Sequence, residues 1–487
     1  MLLNFVRIVE NDCQTVQNFV AFAVSPCRRA YNLAGGAYFS PKRGILPVMK
    51  ERAKKENIVK GAAVIALGGF LAKIVGALYR IPLTNLIGGE GIGLYQLVYP
   101  FYCLLLTVSA TGIPSSIAKL TAERIERGES PRPLFALAMK LFLIIGGASA
   151  LLMGALAPLL SSAQGEKGLW GGYVTLAPSV FLVSGISVFR GYFQGKNNMF
   201  PTAISEVVEQ VVKVALGILF AYLFRDDLYL AVAMLLLAVT ASECAALLFL
   251  WLRFRKDPPM LGGVGEKPTV KAVLALSIPV TLSAGLLPLS GLIDSVLVVR
   301  LLRAYEQNAV ALFGLFSGGA VTIINLPVSV CYGIAVASVP AIARAKAGGQ
   351  GTRKKLLYVT GLTLLLSLPC ALGLFFLAEP AVKIIYRSLQ PSELQTLVGL
   401  VRAFSAGAVT LSLTQTLAAC LTALGKPSRA ALSMAVAVSV KTALNAVLVR
   451  NPDFSVYGAV IATNACYLVS AALDFFFALY HSKKKRP

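Results

Sequence analysis

The chain has 487 residues, of which 57% are hydrophobic and only 14% charged, with a mean hydropathy of +0.74. A soluble domain carries about 25% charged residues, so this composition excludes an ordinary soluble enzyme. The formal net charge of +23 points to an anionic membrane surface rather than nucleic acid, because most Lys and Arg flank long apolar stretches, where lipid headgroups attract them.

Residues 1–56 are polar and basic, and their apolar runs, such as Phe19 to Val24, are too short to span a bilayer. With no small-residue cleavage site after a long apolar core, no signal peptide is expected. Met49-Lys50-Glu51-Arg52 opens the basic segment before the first apolar stretch, so Met49 is the expected start of translation. The competing reading of this segment is an interfacial cytoplasmic helix.

A helix needs about 20 apolar residues to cross roughly 30 Å of hydrocarbon. Spans are expected near 60–80, 92–114, 133–159, 170–192, 203–224 and 228–252, an N-terminal half of 57–256. After a basic linker, 257–271, six more are expected near 272–299, 309–337, 356–378, 396–424, 429–449 and 455–480, a C-terminal half of 272–480. Alternate loops are basic, carrying Lys119, Arg124, Arg127 and Arg132; Arg190 and Lys196; Arg253, Arg255, Lys256, Lys267 and Lys271; Arg344, Lys346, Arg353, Lys354 and Lys355; and Lys426 and Arg429. By the positive-inside rule these loops are cytoplasmic, and the tail 481–487, with Lys483, Lys484, Lys485 and Arg486, agrees. Both termini are therefore expected inside.

Several chemistries lack their residues. The eight cysteines are scattered without a C-x-x-C and read as small apolar fillers. The sole histidine, His481, sits at the end of the last span, which removes His-based catalysis and His metal sites from the membrane interior. Gly88-Gly89-Glu90-Gly91-Ile92-Gly93 imitates a dinucleotide loop but follows no strand and lies in an exterior loop. Gly262 to Lys267 lacks Walker A spacing, so no ATP site is expected.

An internal repeat is visible. The second span exits through Ile113-Pro114-Ser115-Ser116-Ile117-Ala118-Lys119 and the eighth through Val339-Pro340-Ala341-Ile342-Ala343-Arg344, an offset of 225. The fourth exits through Gly191-Tyr192-Phe193-Gln194-Gly195-Lys196 and the tenth through Leu421-Thr422-Ala423-Leu424-Gly425-Lys426-Pro427, with Gly195 and Gly425 offset by 230. Matching exits on one side imply parallel repeats of six spans, with a substrate cavity between the two bundles.

Further motifs sharpen the reading: Lys73-Ile74-Val75-Gly76, Arg80-Ile81, Leu86 to Tyr95, Gly112-Ile113-Pro114 to Lys119, Arg190 to Met199, Pro201-Thr202-Ala203, Glu209-Gln210, Ile278 to Leu282 and Val339 to Ile342. Over residues 57–480 this pattern resembles the stage V sporulation protein B group of polysaccharide-export proteins, in the superfamily of the lipid II flippases and the multidrug and toxin extrusion (MATE) transporters. The resemblance implies an all-α integral membrane protein with twelve transmembrane helices in two parallel six-helix lobes, MATE-like, and up to fourteen helices in the family. A lipid-tail groove built from the two extra helices is not expected in a chain that stops at Pro487. The resemblance also implies alternating access in the bacterial cytoplasmic membrane, moving undecaprenyl-diphosphate-linked cell-wall or polysaccharide precursors between leaflets.

Ionisable residues within spans are expensive, so each is a functional candidate. Lys73 and Arg80 lie seven apart, on one helix face about 10 Å apart. Together they suit a diphosphate, Arg as a bidentate fork and Lys as a point charge. Snorkelling for Lys73 and interface anchoring for Arg80 are the alternatives. Glu206, Glu209, Gln210 and Lys213 form one polar stripe, read either as a structural ion pair or as a cavity wall whose carboxylate exchanges a proton or cation. Asp294, beyond Pro279 and Pro288, is the C-terminal ion-coupling candidate, while Glu243 and Lys441 are expected at most to pair. Tyr95, Tyr99 and Tyr102 read as interface anchors. Arg190 and Lys119 can recruit the pyrophosphate, though positive-inside bias explains both.

The expected protein is therefore a flippase, not an enzyme, working as a monomer without cofactor, on Na+ or H+ coupling or on membrane potential, with membrane lipids and a lipid-linked saccharide as partners and no nucleic acid. A MATE-type cation or drug antiporter is the nearest alternative, and would need acidic cavity walls. A membrane glycosyltransferase or polymerase would need a catalytic carboxylate in a sizeable exterior loop.

Overall fold

The computed structural model describes residues 45–258, 269–347 and 351–482; side chains before residue 75 and a few in the helices Val270–Ala284 and Val321–Ala347 fall outside that description. The expectations for residues 1–44, for most of the linker 257–271 and for the basic tail beyond Ser482 concern residues outside it. The chain separates into two units, Met1–Asn57 and Ile58–Pro487. In the first, only the helix from Ile45 onward is described.

Helix α1 (Ile45–Leu106) is broken at Gly88, whose φ of 70° and ψ of −176° suit a residue without Cβ. The exterior loop expected at Gly88–Gly93 is thus a single-residue break between two helical limbs. A π-turn at Thr107–Thr111 leads into α2 (Ile113–Glu126), which starts with Pro114 in its first turn. Then come α3 (Arg132–Ala163), α4 (Trp170–Gly195), α5 (Phe200–Leu223) and α6 (Leu228–Arg255). Asp227 caps α6, its side chain accepting from the Leu230 N–H at 3.1 Å.

The next expected span is two helices, α7 (Val270–Ala284) and α8 (Leu286–Leu302), separated at Gly285. Beyond them α9 (Ala309–Gly314), a π-turn (Leu315–Ala320) and α10 (Val321–Ala347) make one path. The rest are α11 (Arg353–Phe376), the short α12 (Ala378–Ile385), α13 (Pro391–Ala423), α14 (Pro427–Leu448) and α15 (Ser455–Ser482). Gln390 and Glu393 form a capping box at the start of α13.

Among the described residues, nine helical stretches are long and apolar enough to cross a membrane. Twelve crossings would add α5, which carries Glu206, Glu209 and Lys213, the broken pair α7 and α8, and the limb preceding Leu78. The large apolar side chains left exposed, such as Ile144 and Leu151 on α3 and Leu365 and Phe376 on α11, are those a bilayer would cover.

The helices pack in two groups. In the first, α4 packs on α2, α3 and α6, and α6 on α5; in the second, α13 packs on α10, α11 and α15, and α14 on α8 and α15. Helix α7 sides with the first group, where Val273 is buried against Ile113, Ile117 and Phe142. At the end bearing the basic loops each group has its own core, around Phe189 and Tyr192 in one and Leu417 and Leu421 in the other. At the opposite end a single core runs across both groups, joining Leu83, Ile92 and Tyr173 to Phe313, Phe316 and Phe404.

Polar contacts reinforce that closed end. Asn85 donates to the Ile385 carbonyl at 2.8 Å, Gln96 to the Ser317 carbonyl at 2.9 Å and Gln164 to Ser295 at 3.4 Å. Arg303 pairs with Glu166 and donates to the Gly165 carbonyl at 2.9 Å. Glycines allow the closest crossing: a Cβ on Gly93 would strike the Val310 carbonyl, and one on Gly314 would strike Gly89 and Gly93.

Candidate substrate cavity

Between the two groups lies a cavity of about 370 Å³. Both limbs of α1 line it with Tyr79, Arg80, Tyr95 and Tyr99, and α5 adds Lys213. The second group contributes Thr322, Asn325 and Ser329 from α10 and Gln415 from α13. Among the described residues the lining holds two cations, Arg80 and Lys213, and no carboxylate.

Each cation is positioned by its surroundings. Arg80 Nη1 donates to Thr322 Oγ1 at 3.3 Å, across the two groups, and its guanidinium lies 6.0 Å from the Tyr99 ring centroid. Tyr95 and Tyr99 stack with centroids 5.3 Å apart, and Tyr102 bonds Ser179 at 3.1 Å. Tyr95 and Tyr102 are 5% and 2% exposed, so the interface-anchor expectation is overturned: the limb that carries them is surrounded by protein, and two of the three rings wall the cavity. Tyr79 reaches its place because Gly217 of α5 offers no side chain where the phenol passes.

The polar stripe of α5 divides. Lys213 faces the cavity, while Glu209 Oε2 is taken at 3.0 Å by Arg190 of α4, which also bonds Ser205 at 3.0 Å. The structural pair is therefore Glu209 with Arg190, not Glu209 with Lys213. Gln210 donates to Glu209 at 3.3 Å and lies over Gly76, and Glu206 is within electrostatic reach of Arg190 and Glu209. Among the described residues neither Arg80 nor Lys213 has an ion-pair partner, although Glu209 and Glu243 act on Lys213 from nearby. Two partly buried cations with no carboxylate in contact among the described residues suit an anion.

The other expected residues lie elsewhere. Lys73 is on the first limb of α1, and its side chain falls outside the described residues. Lys119 is exposed at the basic end, 3.9 Å from Glu123, away from the cavity. Asp294 lies in the second group, ion-paired with Lys441 and accepting from Asn445 at 2.8 Å, with Lys441 also 3.3 Å from Ser290. Thr322, Asn325, Ser329 and Gln415 carry no charge, and their only signal in the sequence is polarity within apolar spans. Among the described residues no cluster of His, Cys, Asp and Glu is placed to hold a metal ion.

The comparisons with known proteins agree with this architecture. The family described as polysaccharide biosynthesis protein matches residues 58–346. Stage V sporulation protein B of Bacillus subtilis (strain 168) is 28% identical over 432 residues, covering 84% of this chain and 81% of that protein. The lipid II flippase MurJ of the same organism is 24% identical over 460 residues, covering 88% and 83%. The inward-facing conformation of a multidrug resistance MATE family transporter of the MOP superfamily aligns with a TM-score of 0.72 at 15% identity, over 85% of this chain and 96% of that one, and so shares the fold. On its sequence match and its helical architecture, the chain belongs to the polysaccharide biosynthesis protein family and is a multi-pass membrane transporter of MATE-like fold.

Proposed function

We propose that this transporter flips polyprenyl-diphosphate-linked cell-wall or polysaccharide precursors, such as undecaprenyl-diphosphate saccharides, across the cytoplasmic membrane. The observation that carries the reading is the presence of Arg80 and Lys213 together in a cavity between the two groups whose described lining has no carboxylate. Arg offers a planar fork to phosphate oxygens and Lys a point charge, and the tyrosines and amides around them suit sugar hydroxyls. The volume falls in the usual small-molecule range of about 300–1,000 Å³. Similarity to a lipid II flippase supports the same substrate class.

In this reading the chain crosses the membrane twelve times as a monomer, with both termini and the basic loops in the cytoplasm. The divided cores at the basic end then describe a state that loads from the cytoplasm. An inside-negative potential pushes a bound anion outward by about 2.3 kcal/mol per charge per 100 mV. Glu209 and Asp294 keep their proposed part in ion coupling only if their ion pairs with Arg190 and Lys441 open during the cycle. The antiporter alternative calls for acidic walls, which the described lining of this cavity lacks.

The test is a proteoliposome assay of a fluorescent undecaprenyl-diphosphate saccharide beside uptake of a cationic dye. The expected result is movement of the lipid, faster with an inside-negative potential, and no dye uptake. Dye uptake without lipid movement would replace this reading with the antiporter.

A further inference from the structure

Glu243 of α6 is 5% exposed, and its Oε2 is buried without a hydrogen-bond partner among the described residues. The groups that face it are Glu209 and Lys213 of α5, Arg190 of α4 and Tyr102 of α1, with Cys244 beside it on α6. Arg190 is committed to Glu209 and Ser205. Lys213 is not in ion-pair contact with any described carboxylate, and it lines the cavity. One ammonium therefore lines the anion site and also acts electrostatically on a buried carboxyl whose Oε2 has no hydrogen-bond partner among the described residues. A carboxylate buried without a donor is costly, and either a nearby cation or a proton removes that cost.

We propose that Glu243 is a proton-binding site linked to substrate binding through Lys213, an inference that rests on the cavity being a diphosphate site. When the cavity is empty, the Lys213 ammonium balances Glu243. When a diphosphate enters, it draws the ammonium toward its oxygens, and the Glu243 carboxylate takes one proton from water on the loading side, forming the neutral carboxyl. On release the ammonium returns and the proton leaves. The proton accompanies the anion, so the protein–substrate complex carries one negative charge fewer than the anion alone contributes. Of the other carboxyls with an unpartnered buried oxygen, Glu206 is only half-buried, and Asp474 sits in the second group with none of these cations beside it.

The experiment is calorimetric titration of the full chain with undecaprenyl diphosphate in two buffers of different ionisation enthalpy, which reads protons exchanged per ligand bound. Wild type is expected to take up close to one proton, and Glu243→Gln, which keeps the side chain neutral throughout, to bind roughly tenfold or more tightly than wild type with no uptake. The wild-type affinity supplies a second reading that needs no variant: it weakens as pH rises, by up to tenfold per unit, over the range in which uptake is seen. Binding by wild type without proton exchange overturns the inference and leaves the cavity reading intact, as does uptake that persists in Glu243→Gln. No binding by wild type removes the cavity reading and this inference together.

Discussion

Buried charges divide into those that hold the fold and those that face the cavity, and the division is made residue by residue. Asp294 and Lys441 are each 7% exposed and satisfy one another with help from Asn445 and Ser290. Removing one partner strands the other in a low-dielectric interior, which costs about 3–5 kcal/mol, whereas replacing both with apolar side chains of similar size is often neutral. Asp294→Leu and Lys441→Met are each expected to lower the melting temperature in detergent, and the double variant to recover most of it. Additive losses in the double variant would show that the pair is not coupled. Lys119→Ala, by contrast, touches only an exposed contact to Glu123, worth about 0.3–0.5 kcal/mol, and should leave both melting and transport unchanged.

At the scale of elements, the closed end is held by two kinds of contact of unequal strength. The ion pair of Arg303 with Glu166 is partly exposed, and such a pair contributes about 0.2–1 kcal/mol. Packing of Gly93 and Gly314 against opposing backbone leaves no room for a side chain. Gly314→Leu should therefore force that end apart, and Arg303→Ala should shift the equilibrium by less than about fivefold. Spin labels at Glu90 and Ser392 would report a longer distance in Gly314→Leu and a small added population in Arg303→Ala. An unchanged distance in Gly314→Leu would mean that the glycine crossing does not hold the end shut.

The elements also show what hydropathy can convey. Apolar length located α3, α4, α6, α11, α13, α14 and α15 within a few residues, because a crossing helix must keep about 20 apolar residues together. It did not reveal that Gly88 alone separates two limbs or that Gly285 separates α7 from α8, since a glycine breaks or continues a helix according to its tertiary contacts. Cavity-lining residues were legible where charge sat inside a span, as at Arg80 and Lys213. Arg190 looked like a phosphate recruiter because the sequence does not show that α4 turns it onto Glu209. The neutral half of the cavity, Asn325, Ser329 and Gln415, was hidden because isolated polar side chains in a span serve packing as often as binding.

For the whole molecule, one shared core joins the two groups at the closed end, while separate cores keep them apart at the basic end. A cysteine placed at Gln415 in a background lacking the native cysteines should react with a membrane-impermeant reagent from the cytoplasmic side, and undecaprenyl diphosphate should slow the reaction. Labelling only from the outside would reverse the proposed orientation. The proposed transport depends on Arg80 and Lys213 binding the diphosphate together. The most direct measurement is the affinity of the full chain for undecaprenyl diphosphate in wild type, Arg80→Ala, Lys213→Ala and the double variant. A charge-assisted contact contributes about 1.5–3 kcal/mol, so each single change should weaken binding roughly 10- to 100-fold, and the double variant should bind more weakly than either. Affinity unchanged in the double variant would contradict the account.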